Sequence, residues 1–231
     1  EMYIGDWSSD VCSSDLASEA TYDIQFGSLK RPTHKNTSWD GAKFEVCGHK
    51  WADVSEGGYG VSILNDCKYG HDIHDGKMTL SLVKSGILPN PTTDQEEHFF
   101  TYALLPHMGD CNAAFVQKEA YCLNVPAYAV RMEEDGADTF DVPSLFTVSA
   151  PNVIAETVKP VEDGSDIIVR MYEDHNARTA VTLTWHKEMK RIVECDLMEN
   201  EIGDAAENTA AYTFTIKPRS EERRVGKECR S

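Results

Sequence analysis

The chain has 231 residues, 22 Lys and Arg against 39 Asp and Glu, a formal net charge of −17 and 41% hydrophobic residues. A charge of that sign has nothing to replace the counterions around a phosphate backbone, which excludes nucleic acid as a partner. No apolar run approaches the roughly 20 residues of a membrane span, and no charged start leads into an apolar stretch as in a secretory signal. The expectation is an acidic, globular, cytoplasmic protein.

The two ends read differently from the middle. Glu1–Leu16 (EMYIGDWSSDVCSSDL) has no usable periodicity, and Arg219–Ser231 (RSEERRVGKECRS) is an abrupt charged run after a regular strand pattern. Both read as translated sequencing-library adapters. Arg-Ser-Glu-Glu-Arg back-translates to AGATCGGAAGAGCG, and Asp-Val-Cys-Ser-Ser-Asp-Leu to GACGTGTGCTCTTCCGATCT. Residues 1–16 and 219–231 are therefore set aside as disordered flanks foreign to the fold. Between them lie Cys47, Cys67, Cys111, Cys122 and Cys195. The number is odd and no Cys-x-x-Cys spacing occurs, so a zinc ribbon or redox pair is not expected, and a reducing compartment fits.

In chain order, strands are predicted at Phe44–Cys47, Gly60–Leu64, Met78–Leu82, Phe99–Leu104, Phe146–Ser149, Val153–Lys159, Ile167–Tyr172, Val181–Trp185, Ile192–Leu197 and Tyr212–Ile216. Met78–Leu82, Val181–Trp185 and Tyr212–Ile216 alternate apolar and polar residues with period two, as half-buried strands do. Asp75-Gly76 and Asp163-Gly164 stand between strand runs as hairpin turns. Asn112–Asn124 alone has helical spacing, through Ala113, Val116, Ala120 and Leu123, with Asn112 as N-cap. About ten strands with closely spaced turns predict an all-β protein: two consecutive antiparallel β-sandwich domains with at most one short helix. The boundary is expected within Glu133–Pro143, giving domains 17–142 and 143–218.

Candidate chemistry is sparse. His71-Asp-Ile-His-Asp75 offers two imidazoles and two carboxylates within five residues, but the adjoining Gly76 makes this a hairpin tip, and a solvated turn is preferred over a metal site. Asp40, Asp53, Glu56 and Asp66 would supply a glycosidase carboxylate pair only if folding brought two of them about 5 Å apart. Trp39 and Trp51 are candidates to stack on a sugar ring, against core as the usual place for a Trp. Asn65-Asp-Cys-Lys-Tyr-Gly70 puts polar residues straight after an apolar strand, as a ligand-facing loop or a plain turn would.

Longer motifs carry more. They are Arg31-Pro-Thr-His-Lys-Asn-Thr-Ser-Trp-Asp40, Lys43-Phe-Glu-Val-Cys-Gly-His-Lys-Trp-Ala-Asp-Val-Ser-Glu56 and Gly58-Tyr-Gly-Val-Ser-Ile-Leu-Asn-Asp-Cys-Lys-Tyr-Gly70. Phe100-Thr-Tyr-Ala-Leu-Leu-Pro-His107, Ser149-Ala-Pro-Asn-Val-Ile-Ala-Glu-Thr-Val-Lys159 and Ile168-Val-Arg-Met-Tyr-Glu173 follow in order. Together they resemble the C-terminal β region of glycoside hydrolase family 38 α-mannosidases, of the cytosolic and bacterial branch.

The resemblance implies that the first domain is part of an incomplete, galactose-mutarotase-like supersandwich and that the second is a small, truncated β-sandwich. It also implies a parent enzyme that hydrolyses terminal α-mannosides with retention. The catalytic residues and zinc would lie on an N-terminal α/β barrel, followed by a helical bundle, so neither a catalytic residue nor a metal ligand is assigned here. The implied partners are those missing domains and a mannose-containing oligosaccharide. His34, Trp39, Asp40, His49, Asp66 and Lys68 are the candidates for the substrate rim or domain interface. The rival reading is a stand-alone carbohydrate-binding module. Lys84-Ser-Gly86 and Asp94–His98 depart from the family pattern near the expected cleft.

Overall fold

Alternating burial builds the first unit as two antiparallel layers. The computed structural model describes residues 7–12, 17–131, 143–162, 164, 166–218 and 221–228, and the chain divides into compact units Glu1–Ala129 and Val130–Ser231. In the first unit, one sheet has the order β3 (Gly27–Pro32), β2 (Glu19–Ile24), β5 (Trp51–Glu56), β6 (Tyr59–Asn65), β9 (Tyr102–Met108). The other has the order β1 (Trp7–Cys12), β8 (Lys77–Val83), β7 (Gly70–His74), β4 (Val46–Cys47). Ala20, Tyr22, Ala52, Val54, Val61 and Ile63 of the first sheet pack on Ile73, Met78 and Leu80 of the second. Each such buried large side chain contributes about 1.5–3 kcal/mol relative to exposure.

The Asp75-Gly76 turn is as expected: both residues have positive φ, 49° and 71°, joining β7 to β8 with His74 opposite Lys77. Asp163 of the second predicted turn lies outside the described residues. Two helices occur among the described residues rather than one. α1 (Ser38–Ala42) begins with a capping box, in which Thr37 Oγ1 accepts from Asp40 N while Thr37 N donates to Asp40 Oδ2. α2 (Val116–Asn124) starts later than expected, after Phe115 at φ 52°, so Asn112 is not its N-cap. Its Val116 and Ala120 bury against Trp51, Leu64 and Cys111, and Trp51 Nε1 donates to Gln117 Oε1. The helix thus covers the outer face of the five-stranded sheet over β5 and β6.

The described strands of the second unit form one antiparallel sheet. β13 (Thr179–Cys195) pairs along its length with β14 (Glu201–Ile216). It also pairs with β10 (Phe146–Val148) and with β15 (Glu221–Glu228), which leads on to β12 (Ile167–Glu173) and β11 (Val153–Pro160). The expected strands at 181–185 and 192–197 are one 17-residue strand, bent at pairing irregularities after Thr184 and Ile192. Val169, Met171, Val181, Leu183, Trp185 and Ile192 form its core. The division at Ala129 precedes the boundary expected within 133–143, most of which lies outside the described residues.

The flanks differ from the expected disorder. Trp7–Cys12 pairs with β8, and Glu221–Glu228 runs between β12 and β13. Backbone pairing asks only for free N–H and C=O groups, which an open strand edge offers to any extended segment. Adapter origin and strand formation are therefore compatible.

Candidate functional site

The outer face of the five-stranded sheet holds a polar network that the sequence reading did not single out. Asp53 on β5, Ser62 on β6 and His107 on β9 meet there because Asp53 pairs with Ser62, and Ser62 with Leu105 two residues from His107. Ser62 Oγ donates to Asp53 Oδ2 at 2.7 Å, and His107 Nε2 lies 2.7 Å from the same oxygen. Ser55 Oγ binds the other carboxylate oxygen. Asp53 is 1% exposed and the His107 side chain 6%. Gly60 makes room, since a Cβ there would stand 2.3 Å from His107 Cε1 and 2.5 Å from Ser55 Oγ.

Aspartate, histidine and serine together invite comparison with a nucleophilic triad, and the geometry rejects it. In a triad the base contacts the acid through one ring nitrogen and the nucleophile through the other. Here Ser62 and Asp53 both address Nε2, at 3.2 and 2.7 Å, and Nδ1 is buried without a partner among the described residues. The cluster binds three strands together by satisfying a buried carboxylate, whose burial unpaired would cost several kcal/mol.

The six rim candidates fall into two places. His34 and Asp40 line a cavity of about 290 Å³ between β3, the 33–43 segment and β4–β7, with Arg31, Lys35, Lys43 and Asp72 also on its wall. Trp39, in the same helical turn as Asp40, is 79% exposed. The Thr37 side chain holds the Asp40 carboxyl below its ordinary pKa. His49, Asp66 and Lys68 gather instead at the β5–β6 end of the sheet. Asn65 Nδ2 donates to the His49 carbonyl, Lys68 N donates to Asn65 Oδ1, and the His49 ring lies 5.2 Å from Tyr69. Lys68 Nζ sits 4.9 Å from the Phe100 ring. Burial pushes Asp66 up, but hydrogen bonds from Cys67 and from Thr101 N at 2.9 Å more than offset this and hold it low.

Two sequence readings need correction. Trp51 is 3% exposed and bonded to Gln117, so it cannot stack on a sugar; Trp39 remains. His71 is not in a solvated turn: it is fully buried, beside Tyr22, with Gly48 packed on its ring. Burial, aided by Arg31, lowers its pKa to about 4, while Glu45 pulls the other way. His74 faces the other side and lies 2.9 Å from Asp72, as strand alternation requires.

Residues 13–92 match the glycosyl hydrolases family 38 C-terminal domain, and residues 152–219 match the glycosyl hydrolases family 38 C-terminal beta sandwich domain. The chain is C-terminal sequence of family 38. It is 43% identical over 186 residues to human Alpha-mannosidase 2C1, covering 79% of this chain and 18% of that protein. It is 41% identical over 207 residues to Alpha-mannosidase G of Dictyostelium discoideum, covering 87% of this chain and 19% of the relative. It thus spans about a fifth of the length of these relatives. An α-mannosidase crystal structure from Enterococcus faecalis superposes with a TM-score of 0.74 at 16% identity over 96% of this chain and 25% of that one, a likeness of fold.

Family 38 membership puts the carboxylates in context. Asp53 is committed to its network, Asp40 to the Thr37 cap and Asp66 to Thr101, while Glu56 is exposed at the end of β5. These separate commitments do not make the paired carboxylates that retaining hydrolysis uses. Among the described residues no group of three or more His, Cys, Asp or Glu side chains is placed to hold a metal ion. Those residues thus offer zinc no fitting donor set.

Proposed function

We propose that this chain is the non-catalytic C-terminal part of an α-mannosidase of the cytosolic branch, whose catalytic residues and zinc belong to domains outside the chain. In that reading the full enzyme hydrolyses terminal α-mannosides with retention in the cytoplasm. The two β units buttress the catalytic domains, and His34, Trp39, Asp40, His49, Asp66 and Lys68 lie along their contact or the substrate rim. The flanking residues 1–16 and 219–231 are adapter-derived. The observation that carries the reading is the ordered match of both family 38 C-terminal domains to a chain in which Asp40, Asp53 and Asp66 are each held by separate hydrogen-bond partners.

The test is a chimaera. Residues 17–218 replace the matching segment of the human relative, and aryl α-mannosidase activity is measured beside the same protein lacking the segment. Activity in the chimaera and none in the deletion is the expected result; an active deletion removes the supporting role. A second reading, a stand-alone carbohydrate-binding module, rests on the exposed indole of Trp39. Saturable binding of mannobiose by this chain, lost in Trp39→Ala, would favour it.

A further inference from the structure

The cavity beside α1 is basic, in a chain whose net charge is −17. Lys30, Arg31, Lys35 and Lys43 reach its wall, with only Asp40 and Asp72 as acids. Both acids are already engaged: Asp40 accepts from Thr37, and Asp72 lies 3.5 Å from Lys35 Nζ and 2.9 Å from His74. Lys30 pairs with Glu19 at 3.4 Å, so two cations are left over. Lys43 and Arg31 make no ion pair among the described residues, and Arg31 Nη1 is buried without a hydrogen-bond partner. The Arg31 guanidinium is held 4.6 Å over the Tyr22 ring, so its orientation is fixed before anything binds.

A guanidinium fork and a lysine ammonium on the wall of one cavity suit an oxyanion carrying more than one negative charge. The space, about 290 Å³, exceeds what a bare ion fills and suits a body the size of one sugar ring. We propose that this cavity binds a phosphomonoester of sugar size, with Arg31 and Lys43 holding the phosphate.

Calorimetry of the 231-residue chain at constant ionic strength tests it, with mannose 6-phosphate, inorganic phosphate, mannose and citrate as probes. Mannose 6-phosphate is expected to saturate one site, inorganic phosphate to bind more weakly, and mannose and citrate to give no saturable heat. Arg31→Gln and Lys43→Glu should each weaken binding by about tenfold or more, the loss expected from one charge-assisted contact. Lys118→Glu, away from the cavity on α2, should leave it unchanged. Lys43 is exposed, so its variant decides the matter if Arg31→Gln fails to fold. No saturation, undiminished binding in Lys43→Glu, or citrate binding more tightly than either phosphate overturns the proposal. Inorganic phosphate binding as tightly as the sugar phosphate would assign the site to the free ion and contradict the sugar-sized occupant.

Discussion

Lowering the pH from 7 to 5 should destabilise the first unit through one residue. His71 is fully buried and neither ring nitrogen has a hydrogen-bond partner among the described residues. Its pKa falls from 6.5 in the unfolded chain to about 4 in the fold. The folded state therefore takes up fewer protons than the unfolded one between these values, and stability is lost as pH falls through that window. The difference amounts to about 2 kcal/mol by pH 5 and about 3 by pH 4, a sizeable share of a typical 5–15 kcal/mol. Carboxylates titrate at the lower end, so the informative comparison is pH 7 against pH 5. Urea unfolding at both pH values, in the wild type and in His71→Leu, isolates the imidazole. The wild type should lose about 2 kcal/mol more than the variant between the two. Equal losses would mean that His71 is hydrated or partnered in solution, and the burial argument fails.

Other expectations follow the same packing. Gly60→Ala puts a methyl group 2.3 Å from His107 Cε1 and should cost about 1–3 kcal/mol, read as a lower midpoint in urea. Asp53→Ala should cost about 3–5 kcal/mol by orphaning Ser62 and His107, whereas Thr37→Ala, at an exposed cap, should cost about 1. Alkylation followed by peptide mapping should label Cys47 and Cys122 before Cys67, whose thiol is pushed up by burial and by Asp66. Cys111, raised to about 12 by burial, should remain unlabelled at neutral pH until the chain unfolds.

Period-two alternation was legible wherever one face of a strand is wet, as at Met78–Leu82 and Tyr212–Ile216, and those segments lie within β8 and β14. It was not legible in β2 and β5, whose runs Ala20–Asp23 and Trp51–Val54 are buried on both faces, with α2 over Trp51 of β5. The α1 cap is present in the sequence as Thr37-Ser-Trp-Asp40, but Asp stands where the capping-box pattern has Glu or Gln, and no apolar helical run follows it. The Asp53 network could not be foreseen from spacing: its members are 9 and 54 residues apart, and only strand register brings them together. Alternation within β5 does put Trp51, Asp53 and Ser55 on one face, which was the available hint. The basic cavity was half visible in Lys30-Arg31 and Lys35, but the engagement of Asp72 depends on the β7 strand folding alongside.

Hydrolysis of an aryl α-mannoside by the purified 231-residue chain, with and without added zinc, bears most directly on whether the chemistry lies elsewhere. Release of the aryl group at the rate of the enzyme-free blank in both conditions is the predicted result. Turnover above that blank that follows the protein through purification would place a glycosidase centre within these strands and contradict the account.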